Sequence, residues 1–244
     1  MKTLIIIPSR LSASRLPGKP LLEINGISIV SHVFKKAVDA NVGEVFVAAE
    51  DEEIVYDVKK NGGQAILTNN KHKTGTDRIY EALDKIGKPD IELVINLQGD
   101  EPLMNIEDIR TLHNKMIKTK SKLGTLASVI KDENLYKDQN AVKVETKKSL
   151  ENSEFPEAIN FMRLTVDHTK NIYHHLGIYC YQIETLKNFV SLNQSQNEIK
   201  KKLEQLRALD NKIKINVSLA KDSSIGVDTV EDFIAIKKIM EYKT

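Results

Sequence analysis

A single cysteine, Cys180, stands among 244 residues. It excludes an internal disulfide and a cysteine-based zinc site, and it fits a reducing compartment. Long apolar runs are missing too. None approaches the roughly 20 residues that span a bilayer. The first run, Leu4–Ile7, is cut by Pro8 and Arg10 before it reaches the length of a signal-peptide core. The cytoplasm is the expected location. Excess charge of one sign is also absent: 36 Lys and Arg face 34 Asp and Glu, and a formal net charge of +2 argues for neither nucleic acid nor a membrane surface. No internal repeat and no low-complexity linker interrupts the chain. With 41% hydrophobic and 29% charged residues, the composition is neither disordered nor fibrous. The length is ordinary for one α/β domain with a sizeable core, and residues 1–244 read as a single domain.

What is present begins at the amino terminus. Leu4–Ile7 is rich in β-branched residues, the pattern of a strand buried on both faces of a parallel sheet. Pro8 is expected to end it. The eleven residues after Pro8 carry Arg10, Arg15 and Lys19 among small residues, with no acidic residue. A loop leaving the carboxyl end of a central parallel strand lies where α/β folds place their ligands. Three cations with free backbone N–H groups suit a polyphosphate; a plain basic surface loop is the alternative. A Walker-type loop is excluded, because Gly18-Lys19 is followed by Pro20 and no glycine precedes it, and the three-glycine dinucleotide fingerprint is absent.

Downstream, the apolar runs Val45–Ala48, Ala65–Leu67, Leu93–Leu97 and Leu126–Ile130 alternate with amphipathic stretches. This argues for an α/β fold with a mostly parallel, Rossmann-like sheet and helices on both faces. Thr74-Gly75-Thr76 is expected to start a helix through Ile79, Ala82, Leu83 and Ile86, and capping alone accounts for a Thr and an Asp there. The strand Leu93–Leu97 runs into Gln98-Gly99 and so delivers Asp100 to the sheet edge beside the first loop. A carboxylate there repels a triphosphate unless a divalent cation lies between them, and Mg2+ takes one or two carboxylates plus phosphate oxygens. A turn aspartate is the competing reading. A second carboxylate is then expected. Asp228, between a strand over Ile213–Leu219 and a terminal helix around Phe233, Ile236 and Ile239, supplies one unless it caps that helix with Glu231.

The middle of the chain alternates more weakly. Ala141–Val144 and Ile159–Arg163 read as short strands. In His174–Tyr181, period two puts His175, Gly177, Tyr179 and Tyr181 on one face, and Leu176, Ile178 and Cys180 on the other. The apolar face is core, which turns His175 and Tyr179 towards a cleft or an interface; satisfied structural residues explain them equally. Leu203, Leu206 and Leu209 form a helix stripe, with Glu204 and Gln205 off it.

Pro8-Ser9-Arg10 with Ser14-Arg-Leu-Pro-Gly-Lys-Pro20, then Thr74–Arg78, Gln98-Gly-Asp100, His175–Tyr179, Glu204-Gln205 and Gly226-Val-Asp-Thr-Val-Glu-Asp232, resemble in order the signature of sugar nucleotidyltransferases that use CTP. Among these the pattern is most similar to the 3-deoxy-manno-octulosonate (Kdo) cytidylyltransferase, or CMP-Kdo synthetase, family. The resemblance implies that Pro8, Ser9, Arg10, Arg15 and Lys19 wrap the triphosphate, and that Thr74, Gly75 and Arg78 hold the cytosine and approach the phosphates. It implies that Asp100 and Asp228 hold Mg2+. It assigns Gln98, Arg163, His175, Tyr179, Glu204 and Gln205 to the sugar acid. A homodimer formed through a smaller sugar-binding and dimerisation segment, about residues 140–185, is implied as well. The implied reaction is Mg-dependent cytidylyl transfer from CTP to Kdo, giving CMP-Kdo and pyrophosphate for lipopolysaccharide biosynthesis, with Arg10, Arg15, Lys19, Asp100 and Asp228 as the catalytic set. Thr74 stands in place of the family's usual serine and Val230 in place of proline. Met162 for serine, Gln182 for arginine, and the segments 146–158 and 196–202 also depart from the pattern, and these fall in the sugar half or near the dimer arm. Another sugar acid, such as an amino-Kdo or a nonulosonic acid, is therefore the neighbouring alternative. A silent nucleotide-binding protein on this fold is the alternative of another class, opposed by the retained aspartates and cations.

Overall fold

The computed structural model describes residues 1–12, 15–165, 171–223 and 226–242. Ala13, Ser14 and Ile225, which belong to the first-loop and last motifs, lie outside the described residues. The chain gathers into two compact units, Met1–Arg110 with Ser224–Thr244, and Thr111–Ser223. The second is wider than the segment 140–185 expected to stand apart.

In the first unit, β1 (Thr3–Ser9) leads to a short hairpin of β2 (Glu23–Ile24) and β3 (Ile27–Ser28), then α1 (Ile29–Ala40), β4 (Glu44–Ala49), α2 (Glu52–Lys60), β5 (Ala65–Leu67), α3 (Gly75–Ile86) and β6 (Leu93–Leu97). α4 (Ile106–Thr119) carries the chain onward. The second unit holds β7 (Leu123–Ser128), β8 (Lys143–Thr146), β9 (Ala158–Met162), β10 (Ile172–Gln182), α5 (Ile183–Ser191), α6 (Gln196–Lys201), α7 (Leu206–Asp210) and β11 (Asn216–Leu219). The last helix, α8 (Val230–Glu241), returns to the first unit.

The strands of the first unit run β6-β1-β4-β5, every pair parallel, with Ile5 opposite both Val45 and Ile95. Leu4, Ile5, Ile6 and Ile7 are fully buried, as a strand covered on both faces requires. Each such side chain contributes roughly 1.5–3 kcal/mol of burial free energy. Pro8 lies inside β1 and does not end it. Its missing N–H is on the β6 side, where pairing already stops at Ile6 opposite Asn96, while β1 stays paired to β4 as far as Ser9 opposite Ala49. No ladder bond is lost.

In the second unit the order is β11-β7-β10-β8-β9. β11 is parallel to β7 and the remaining pairs are antiparallel. The fold is thus α/β with a mostly parallel central sheet. β7 starts earlier than the apolar run 126–130 suggests, because Gly124 and Thr125 already pair with Cys180 and Tyr179. Gly124 breaks the apolar pattern for a packing reason: a Cβ there falls 2.7 Å from the Met116 sulfur and 2.8 Å from the Phe155 ring. The strands expected at 141–144, 159–163 and 213–219 settle as β8, β9 and β11. Among the described residues no helix is long and apolar enough to cross a membrane.

Candidate active site

The first loop folds back on itself. Gly18 N–H donates to the Leu11 carbonyl (3.0 Å), and Leu11 N–H donates to Asp51 Oδ2 (2.9 Å). Gly18 sits at φ 74°, a left-handed conformation that glycine takes without a Cβ penalty, and it opens the short helical turn Lys19–Leu21. The Lys19 side chain is thereby held inward, 13% exposed. Past the end of β6, Gly99 permits close approach to β1, since a Cβ there falls 3.0 Å from the Pro8 carbonyl oxygen. Val227 N–H donates to the Asp100 carbonyl (2.8 Å), which ties the two aspartate-bearing loops together. Val227 is itself anchored in an apolar cluster with Ile24, Ile29 and Ile236. α8 is capped by Thr229 and Asp232, not by Asp228 with Glu231, so the Asp228 carboxylate is left for other work.

Pro8, Ser9, Arg10, Arg15, Lys19, Thr74, Gly75, Arg78, Gln98, Asp100 and Asp228 all line one cavity of the first unit. Lys19 Nζ is surrounded by three oxygens: Asp100 Oδ2 at 2.5 Å, the Val227 carbonyl at 2.8 Å and Asp228 Oδ1 at 3.1 Å. Arg15 reaches Asp228 Oδ2 at 2.9 Å. Burial pulls the Lys19 ammonium down, but the carboxylates of Asp100 and Asp228 more than offset it, and its pKa lies above the ordinary lysine value. Ser9 Oγ is buried at the cavity wall with no partner among the described residues, a donor left for a ligand. Gln98 Nε2 donates to Asn96 Oδ1 (2.8 Å). Thr74 caps α3, accepting from Asp77 N–H and donating to the Asp77 carboxylate (2.9 Å), so its hydroxyl is in structural use.

Arg78 departs from the simple expectation. Its guanidinium is buried, paired with Glu50 and donating to Thr68 Oγ1 (2.7 Å) and the Asn69 carbonyl (3.1 Å). Burial, opposed by Glu50, lowers its pKa. It shapes the cavity wall, with part of its donor set already spent. His72 and Lys73 also line the cavity, though the motif gave them no role. The His72 ring pairs with Glu81, whose carboxyl burial pushes up while hydrogen bonds from Lys85, His72 and the Asn69 N–H pull it down to about 2. His72 lies two residues before the Thr74–Arg78 motif, and only that nearness could have marked it. Nothing local to the motifs pointed to Glu50 or Glu81.

The oxygens around Lys19 Nζ, two carboxylates and a carbonyl, form a donor set that suits a hard divalent cation. Among the described residues no group of three or more His, Cys, Asp or Glu is placed to hold a metal, so a cation here would complete its shell with the Val227 carbonyl and with water or phosphate oxygens.

A family model described as "Cytidylyltransferase" matches residues 4–215. The chain is 41% identical to the 3-deoxy-manno-octulosonate cytidylyltransferase of Thermodesulfovibrio yellowstonii, with 98% of each chain covered. It is 38% identical to that of Nitrobacter hamburgensis, covering 98% of this chain and 93% of that one. The chain belongs to the 3-deoxy-manno-octulosonate cytidylyltransferase family. It is a nucleotidyltransferase. Its fold superposes on a solved CMP:2-keto-3-deoxy-manno-octonic acid synthetase complexed with CTP, at a TM-score of 0.89, 33% identity and full coverage of both chains. A UDP-glucose pyrophosphorylase complexed with UDP-glucose, at a TM-score of 0.71 and 12% identity, shares the fold alone.

The remaining residues that the family pattern marks lie in the second unit. His175 does not face an open cleft: it is 7% exposed, with its ring edge-on to Phe161 and tilted against Tyr179. The two-face alternation holds, with His175, Tyr179 and Tyr181 in ring contact along one face, and Phe161 and Thr125 from other strands cover the His175 end of it. Thr125 Oγ1 donates to the Ile178 carbonyl (2.7 Å) and lies 2.9 Å from His175 Nε2, so it accepts the ring N–H. Arg163 is also committed, donating to the carbonyls of Gln139 (3.0 Å), Lys202 (3.1 Å) and Lys201 (3.3 Å). Tyr179 is half-buried against His175 and Tyr181. Glu204 and Gln205 form the entry to α7, with Gln205 buried.

Burial, helped by His174, lowers the pKa of His175 from 6.5 to about 3. The folded chain therefore keeps this ring neutral. As pH falls through about 6.5 the unfolded chain takes up a proton that the folded one refuses, and stability drops by up to about 1.4 kcal/mol per pH unit until about pH 3. Between pH 7 and pH 5 the expected loss is about 2 kcal/mol. Melting curves of the wild type and His175→Gln across that range check this, since the variant should show the shallower fall. Parallel curves would remove His175 as the cause.

Proposed function

We propose that this chain carries out Mg-dependent cytidylyl transfer from CTP to the anomeric hydroxyl of Kdo, releasing pyrophosphate. The observation that carries the reading is the meeting of the three first-loop cations with Asp100 and Asp228 in one cavity, in a chain whose relatives bear the Kdo cytidylyltransferase name over nearly their full length. The anomeric oxygen attacks the α-phosphorus in line, forming the new O–P bond. The bond from that phosphorus to the bridging oxygen of the β-phosphate breaks, its electron pair leaves with pyrophosphate, and the hydroxyl proton passes to solvent. Positioning and charge neutralisation suffice, and no covalent enzyme intermediate is needed. Arg10, Arg15 and Lys19 neutralise the triphosphate and the departing pyrophosphate, and Ser9 Oγ adds a donor. Asp100 and Asp228 would hold Mg2+, which when bound polarises the α-phosphate and acidifies the attacking hydroxyl. We assign Gln98, Tyr179, Glu204 and Gln205 to the sugar acid. Arg163 and His175 act in support, because their polar groups are already bound within the protein. The same reading makes the chain a cytoplasmic homodimer that supplies activated sugar to lipopolysaccharide synthesis.

The test is pyrophosphate release with CTP, Mg2+ and a panel of sugar acids, with product masses read out. Release with Kdo, lost when ATP replaces CTP, is the expected result. Release with a different acid keeps the mechanism and moves the substrate, while no release with any acid defeats the reading.

A further inference from the structure

Lys19 occupies the place a metal would take. Its ammonium lies among Asp100 Oδ2, the Val227 carbonyl and Asp228 Oδ1, and Arg15 covers the other oxygen of Asp228. The two cations and two carboxylates cancel formally, so a divalent cation entering alone leaves this partly buried site with excess positive charge. It must also displace an ammonium that already has three oxygen partners. A nucleoside triphosphate changes that balance. It brings several negative charges to which Lys19, a point charge on a flexible four-carbon stem, and Arg15, a fork matched to phosphate, can turn.

We propose that Lys19, assisted by Arg15, keeps the Asp100–Asp228 site closed to divalent metal until a triphosphate draws the two cations away, so that metal binds with the nucleotide and not before it. The inference rests on the reading of Asp100 and Asp228 as metal carboxylates. By linkage, metal and nucleotide then strengthen each other's binding by the same factor. An ordinary structural ion pair would give no such coupling.

The experiment titrates nucleotide-free protein with Mn2+, a spin probe that shares the oxygen preference of Mg2+, and reads free Mn2+ by electron paramagnetic resonance. The wild type should bind weakly. Lys19→Met, which keeps much of the length and loses the charge, should bind at least about tenfold more tightly, and adding Asp228→Asn should abolish the gain. Arg15→Gln, at a half-exposed position, should shift affinity in the same direction by a smaller factor. The proposal is overturned if Lys19→Met and Arg15→Gln bind no more tightly than the wild type, or if the wild type alone already binds as tightly as Lys19→Met. A gain that survives Asp228→Asn overturns it together with the assignment of the aspartates. No nucleotide enters the titration, so a chain inactive on CTP and Kdo would still give an answer.

Discussion

Asp100→Asn is expected to lower turnover with CTP and Kdo by at least about a hundredfold while leaving the fold intact, the scale seen when one preorganised charge-stabilising group is lost from an active site. The substitution keeps shape and removes one negative charge. Folding should barely register it, because the Asp100 carbonyl still accepts from Val227 N–H, and Lys19 keeps Asp228 and the Val227 carbonyl as partners. The lost ion pair is partly exposed on the Asp100 side, 28%, which limits its worth to about 1 kcal/mol or less. Catalysis should register it fully, because an amide oxygen is a far weaker ligand for a hard divalent cation than a carboxylate. Pyrophosphate release at saturating Mg2+, with a melting curve on the same sample, separates the two effects. Near-wild-type turnover with an unchanged melting temperature would remove Asp100 from the metal's shell.

The first unit was far more legible than the second, for a physical reason. Its cavity is built at the carboxyl ends of β1 and β6, where fully buried runs stop and short loops carry charge, so Arg10, Lys19, Gln98 and Asp100 announce themselves by position as well as by type. Asp228 was placed correctly as an aspartate before a helix, but whether it caps that helix depended on Thr229 and Asp232, and a sequence pattern alone leaves both options open. What stayed hidden is long-range pairing. Glu50 holds Arg78 and Glu81 holds His72 across gaps that no periodicity spans. In the second unit the same difficulty decides the outcome. Period two in β10 put His175 on the face of Tyr179 and Tyr181, where it lies, but Phe161 and the Thr125 hydroxyl that cover it there come from other strands. Arg163 looked like a free anion ligand because the carbonyls of Lys201 and Lys202 that occupy it are far along the chain.

Arg207→Met is expected to cost about 3–5 kcal/mol, the usual consequence of leaving a buried charge without its partner. Arg207 and Glu198 are 2% and 4% exposed and meet in a two-point contact, Nε to Oε2 at 2.9 Å and Nη2 to Oε1 at 2.6 Å. The guanidinium also stacks over the Phe189 ring, 4.6 Å from its centre. Burial pushes the Glu198 carboxyl up, and hydrogen bonds from Arg207, Gln194 and the Ser195 N–H outweigh it, so the folded group is ionised. Methionine fills much of the space but leaves that carboxylate facing apolar atoms. For a chain of this size each kcal/mol moves the melting temperature by roughly 2–4 °C, so a fall on the order of 10 °C should be seen. Arg207→Met with Glu198→Gln should recover part of the loss, because both charges are then gone. The consequence reaches function through the backbone. Arg207 N–H donates to the Glu204 carbonyl (3.0 Å), and the pair ties α6 to α7 on either side of Glu204 and Gln205. If those two residues hold the sugar acid, KM for Kdo should rise in Arg207→Met while KM for CTP stays near the wild-type value. A loss below about 1 kcal/mol, or equal changes in both KM values, would reduce Arg207 to an ordinary packed side chain, because a buried pair that positions this segment must show both effects together.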